Sequence, residues 1–180
     1  VMERLRRFIW YLAGRLFLLL TLLSLFTVTF YYAMNATNIY IVLKDGMAKR
    51  AQVIMMEEDA SELTKFFQSS YLQRDQNLQI ALEGKSPYTY YTVRGIDHRL
   101  KMTWMWCWPW DTPARAEFTE TIPRIDGRVK SSSADAARAL YGDGFEYPPK
   151  WQGGRYAATL VKENGQWHVR SLTLLAQAAE

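Results

Sequence analysis

The stretch LFLLLTLLSLFTVTFYYAM, Leu16–Met34, decides how the rest of the chain is read. Its side chains are apolar, aromatic or hydroxyl, and no charge follows until Lys44. A helix crosses ~30 Å of hydrocarbon with ~20 residues at ~1.5 Å each, so this run, with Phe8–Gly14 before it, is long enough to span a bilayer. The sequence therefore predicts an α+β protein with one N-terminal transmembrane helix, then helices packed on a curved antiparallel sheet. The expected division is a basic N-terminus at 1–15, the membrane helix at 16–36, a linker at 37–44 and a domain at 45–180, with Asn35–Leu43 either continuing the membrane helix or crossing the surface as an extended segment.

Ahead of the apolar run stand Arg4, Arg6, Arg7 and Arg15, opposed only by Glu3. Basic residues beside a first hydrophobic segment stay in the cytoplasm, which predicts a single-pass protein of the cell membrane with an extracytoplasmic C-terminal domain. Arg15 is near enough to the edge to snorkel its guanidinium to the headgroups. Trp10 and Tyr11 at one edge, and Tyr31 and Tyr32 at the other, suit the two interfacial belts. A cleavable signal peptide is the competing reading. Its apolar core usually has ~7–15 residues, shorter than Leu16–Met34, and YYAMNAT offers only a poor small-x-small site because Ala33 and Ala36 are three apart. An uncleaved anchor is expected.

The chain has 22 Lys+Arg and 18 Asp+Glu, of which 18 and 17 lie beyond Arg15. The basic pI thus reflects the N-terminus, and no Lys/Arg cluster in the domain suggests nucleic acid. The single Cys107 excludes an intrachain disulfide, so the domain must hold together by its core. Flanked by tryptophans, Cys107 reads as a packed small hydrophobe. One Cys and two His are too few for a zinc site, and neither a metal nor a cofactor is expected.

Beyond Leu43 the apolar period is first helical. Asp45–Met56 reads as one helix and Ala60–Leu72 as another, with Met56, Ala60, Leu63, Phe67 and Tyr71 in one stripe and Asp59-x-x-Glu62 as a capping box. From Leu78 the period becomes two. Leu78, Ile80 and Leu82 suggest a strand, and Tyr88–Val93 another. Leu100, Met102, Trp104, Trp106 and Trp108 alternate most clearly, with Ala114–Ile122 as the partner strand carrying Ala116, Phe118 and Ile122 on one side. Ser131–Tyr141 reads as a short helix and Gly142–Gly154 as an aromatic loop. Arg155–Glu163 and Gln166–Ala176 flank Asn164-Gly165, a strong hairpin signal.

Helices followed by a curled sheet that ends in Gly165-x-Trp167-x-Val169 resemble the nuclear transport factor 2-like (cystatin-like cone) superfamily. The residues that carry this are Tyr156–Leu175, and the likeness spans roughly residues 45–176. The resemblance implies a cone-shaped domain that serves enzymes, ligand binders or assembly modules. Its subgroup of type IV secretion inner-membrane scaffolds has this architecture: a short cytoplasmic N-terminus, one membrane helix and an outer cone.

The candidate binding residues are Trp104, Trp106, Trp108, Trp110, Tyr147 and Trp151. Three Trp on one strand face most often fill a core; the alternative is a pocket for an apolar, sugar-like or cationic ligand. His98 or His168 beside Asp97 or Asp111 would be an acid–base pair only if their strands were neighbours. Glu117 and Glu120, three apart on a strand, face opposite sides. The expected function is an interaction or assembly domain of an envelope complex, partnered by the membrane, by other envelope proteins or by itself, and not an enzyme. A ligand-binding or sensing domain is the alternative, and a His-dependent enzyme comes third.

Overall fold

A computed structural model describes residues 2–177. Its dominant element is helix α1, Met2–Met56, which runs without interruption for 55 residues. Of the two readings of Asn35–Leu43 the structure has the continued helix, and no separate helix starts at Asp45; both segments are turns of α1. A helix satisfies its backbone hydrogen bonds internally, and no Pro interrupts this sequence to force an exit. What changes along α1 is its surroundings. From Met2 to Thr27 every residue is exposed, and this half is long and apolar enough to cross a membrane. From Asn35 onward one face is buried, with Ile39, Leu43, Met47, Arg50 and Ile54 recurring every three or four residues. Glu57, at φ 57°, ends the helix in the left-handed region.

The expected second helix is broken up by a strand-like contact. Asp59 does cap a 3₁₀ turn, Ala60–Lys65, by accepting from the Ser61 amide at 2.9 Å. Glu62 does not complete the capping box; it pairs with Lys49 and Lys65. At Phe67 the chain makes a parallel bridge to Val169, and only Ser69–Leu72 (α2) resumes the helix. The predicted strand around Leu78–Leu82 is also corrected. Asp75 accepts from the Leu78 amide and starts helix α3, Gln76–Leu82, in which only Leu78 is buried. A short apolar run fits either period, and the cap decides.

The strands are all antiparallel. Tyr91–Ile96 (β1) pairs with Ile125–Val129 (β4) as a separate ribbon. Arg99–Cys107 (β2), Pro113–Thr121 (β3), Gly154–Glu163 (β5) and Gln166–Gln177 (β6) form a sheet in the order β2-β3-β5-β6. Asn164 and Gly165 both have positive φ (50° and 82°), as the two-residue turn between β5 and β6 requires. Helix α4, Ala134–Tyr141, and the irregular Gly142–Gly153 cover the far end. The buried face of α1 packs with Phe118, Ala116, Leu160 and Val169 from the sheet and with Leu63 and Phe67 from the connecting segment.

Gly46 is the tightest point of this packing. A Cβ added there would lie 2.8 Å from the Phe66 Cβ and 3.3 Å from Phe67 Cε2. Gly46→Val is therefore expected to destabilise the fold by roughly 2 kcal/mol, despite its gain in helix propensity. Thermal unfolding of the detergent-solubilised chain checks this; an unchanged midpoint would mean that α1 and Phe66 can separate freely.

Candidate functional site

The four tryptophans of β2 and its tip do not fill the core. Trp104, Trp106, Trp108 and Trp110 are between 41% and 68% exposed. The cause is a bulge between Met102 and Trp104 in the pairing with β3. Before it, Leu100 and Met102 face the core; after it, the phase reverses, so Met105 and Cys107 face inward and the tryptophans outward. The expectation of one continuous apolar face from Leu100 to Trp108 is corrected accordingly. The exposed rings stack on each other: Trp106 on Trp108 at 5.3 Å edge-on, Trp108 on Trp110 at 5.2 Å nearly parallel. Cys107 is buried as expected, and burial pushes its thiol up and away from nucleophilic thiolate.

The two other candidates belong to different environments. Tyr147 is exposed and carries the Arg128 guanidinium 4.2 Å over its ring. Trp151 is half-buried against the core and donates from Nε1 to Glu120 Oε2 at 3.4 Å. It also walls a cleft of about 370 Å³ between α3, α4 and β5, with Tyr88, Tyr141, Tyr156 and Asn77. A second cleft of about 390 Å³ shares Asn77 and Tyr156 and reaches Arg50 and Asp75. Of the six candidates, Trp151 is the one that lines the first of these clefts. Trp106, Trp108 and Trp110 form a separate exposed ladder, and Trp104 is exposed before them on β2. Arg4, Arg6, Arg7 and Arg15 are exposed on the first half of α1, with Arg15 stacked 4.8 Å over Tyr11.

The interior holds two polar pairs: Arg50 with Asp75, which no sequence motif singles out, and Glu120 with His98, each a candidate on other grounds and here brought together. Arg50 donates from Nε to Asp75 Oδ2 at 2.5 Å and from Nη2 to Asp75 Oδ1 at 2.9 Å, and both side chains are buried. The Tyr71 hydroxyl donates to the same carboxylate at 3.3 Å. Burial pushes the Asp75 carboxyl up, but the hydrogen bonds and charge of Arg50 outweigh it and leave the carboxyl below its ordinary value. Burial likewise opposes the Arg50 charge, and Asp75 overrides it. Glu120, 0% exposed, sits on the core face of β3 and meets His98 Nε2 at 3.0 Å. Glu117 faces outward to Arg155, as three-residue spacing on a strand requires.

Both groups were legible in part. Arg50 interrupts the apolar stripe Leu43–Met47–Ile54 of α1, and Glu120 has the same strand parity as Ala116, Phe118 and Ile122. A charge on an apolar face needs a partner, and that was the available signal. The pairing of His98 with His168 does not occur: β3 and β5 separate β2, beside which His98 lies, from β6, which carries His168. Among the described residues no cluster of His, Cys, Asp and Glu suits a metal ion. Comparison with known families, with curated proteins and with solved structures gives no match.

Asp75→Ala leaves Arg50 buried without its carboxylate and is expected to cost about 3–5 kcal/mol. The double change Arg50→Met with Asp75→Leu should cost much less, since no charge is then stranded. Asp75 adds stability above its unfolded value near ~4, lost as pH falls through the lower folded value. Denaturant titrations between neutral and acid pH test both points; equal costs for single and double variants would show that the pair does not carry the effect.

Proposed function

We propose that this chain is a single-pass membrane protein whose outer α+β domain is an interaction and assembly module of an envelope complex. The observation that carries the reading is the continuity of α1. One rod holds an apolar half able to span a bilayer and, without a joint, a half that forms the spine of the domain core. A domain held in this way keeps a fixed orientation to the membrane, which suits a scaffold. The arginines before the apolar run support a cytoplasmic N-terminus and an outer domain. The same continuity supports an uncleaved anchor, since α1 is helical throughout Ala33–Thr37 and buries Asn35 in the domain.

The buried polar groups support binding over catalysis. Arg50 pairs with Asp75 and Glu120 with His98, and the cleft beside Trp151 is walled mostly by aromatic rings, with the amides of Asn77 and Gln152 and one cation, Lys150. The order of helices and strands, with a last strand bearing Trp167 and Val169, supports the cone-like reading and its scaffold subgroup. The cleft lined by Tyr88, Tyr141, Trp151 and Tyr156 favours a second reading, a small-ligand or sensing domain. Under that reading a ligand shifts tryptophan emission, and Trp151→Phe abolishes the shift. No response from lipid, sugar and amine panels would count against it.

The main reading is tested with single cysteines in a Cys107→Ala background. A cysteine at Asp135 is expected to react with an impermeant maleimide on intact cells, and one at Arg4 only after permeabilisation. Native mass spectrometry of the gently extracted chain is expected to give masses above the 21.0 kDa protomer by whole subunits. Reversed labelling removes the topology, and a bare protomer removes the assembly role.

A further inference from the structure

Trp106 and its neighbours have a fixed height along α1. The first residue of α1 that packs against the domain core is Tyr32, which lies inside the apolar run Leu16–Met34. Tyr32 donates from its hydroxyl to the Met105 carbonyl at 3.5 Å, and its ring centroid lies 6.3 Å from that of Trp106. The start of β2 is far from there. Leu100 stands opposite Glu120 in the sheet, and the charge of Glu120 acts on Arg50. Arg50 and Tyr32 are ~27 Å apart along a helix that rises ~1.5 Å per residue, and Leu100 and Trp106 are ~20 Å apart on a strand that rises ~3.3 Å. Strand β2 therefore runs opposite to α1, and its tip points back toward the apolar half of the helix.

We propose that the tip of the β2–β3 hairpin, Trp106, Trp108 and Trp110, is a lipid-binding surface seated in the outer headgroup layer of the membrane that α1 crosses. The proposal rests on the membrane-spanning reading of α1. Its occupant is lipid because the surface is continuous with the apolar surface of α1 at the level of Tyr31 and Tyr32, where that helix would leave the hydrocarbon. Indole rings favour this layer, with an apolar body toward the acyl chains and an N–H toward the headgroups. Arg115, exposed and opposite Trp106 in register, supplies a cation for lipid phosphate. Pro109 and the stacked Trp108 and Trp110 make the tip stiff. The domain is then held at two points, by α1 and by the hairpin tip.

The test uses the full chain in phosphatidylcholine–phosphatidylglycerol nanodiscs, with Cys107→Ala and one spin-labelled cysteine at Trp110, Leu23 or Asp135. Collision with oxygen reports lipid, and collision with a nickel chelate reports water. The expected result is an oxygen-to-nickel ratio at Trp110 several-fold above that at Asp135 and below that at Leu23. A Trp110 label as wet as Asp135, while Leu23 stays in lipid, overturns this inference and leaves the anchor standing. A wet Leu23 label overturns both. A Trp110 label shielded from both reagents means that a protein covers the tip, and also overturns it. Unlabelled Trp10→Phe protein gives an independent check. Shallow brominated lipid should quench its emission, and changing Trp106, Trp108 and Trp110 to Phe should remove most of that loss; unchanged quenching overturns the proposal.

Discussion

One helix has to satisfy two surroundings, and the rest of the structure follows from how it does so. From Leu16 to Thr27 α1 presents apolar or hydroxyl side chains in every direction, and all of them are exposed, so this part packs against nothing in the domain. In its second half the buried residues are apolar apart from Asn35 and Arg50, while Lys44, Asp45 and Gln52 turn outward or to the margin. The helix does not need a linker between the two because its backbone polar groups are already paired. The sheet, the 3₁₀ turn at Ala60–Lys65 and the bridge at Phe67 then wrap around a spine that extends well beyond them.

A spine through the core raises a second demand, since Arg50 lies on its buried face. Bringing a guanidinium inside is costly unless a carboxylate meets it with good geometry, and Asp75 meets it through two hydrogen bonds. Asp75 also caps α3, so the residue that neutralises Arg50 fixes where that helix starts. Helix α3 in turn forms one wall of both clefts through Asn77. Glu120 plays the matching part on the sheet: it ties His98, just before β2, and Trp151, just before β5, to the central strand β3.

The sequence was most legible where local chemistry and tertiary packing agreed. The Asn164-Gly165 hairpin, the Ala114–Ile122 strand and the Ser131–Tyr141 helical segment stand close to their expected limits. Legibility failed at particular residues. Uncharged Asn35–Leu43 gave no sign of helix against linker, because its buried positions mean something only once the sheet is present. Leu78, Ile80 and Leu82 alternate, but Asp75 supplies a cap that a period-two count ignores. The bulge after Met102 has no Gly or Pro to mark it, so the alternation of Leu100–Trp108 looked continuous when its two halves face opposite ways. The interior pairs were hard to read for a related reason: Arg50 and Glu120 are single charges on apolar faces, and nothing local to either names the partner that the fold brings to it.

The bulge has the largest consequence for the molecule as a whole. Without it, Trp104, Trp106 and Trp108 would point at α1, and Met105 and Cys107 would face solvent. Three indoles do not fit where the buried side chains are Cys107, Ala114 and Ala116, since close-packed interiors leave no such space. The small residues of β3 and the extra residue in β2 are therefore two halves of one arrangement: β3 lets α1 approach closely, and β2 turns its bulk away from that contact. Tyr32 then meets Trp106 at the edge of the sheet and not beneath it. The exposed ladder is the outward side of a core that has to be thin for α1 to lie against it.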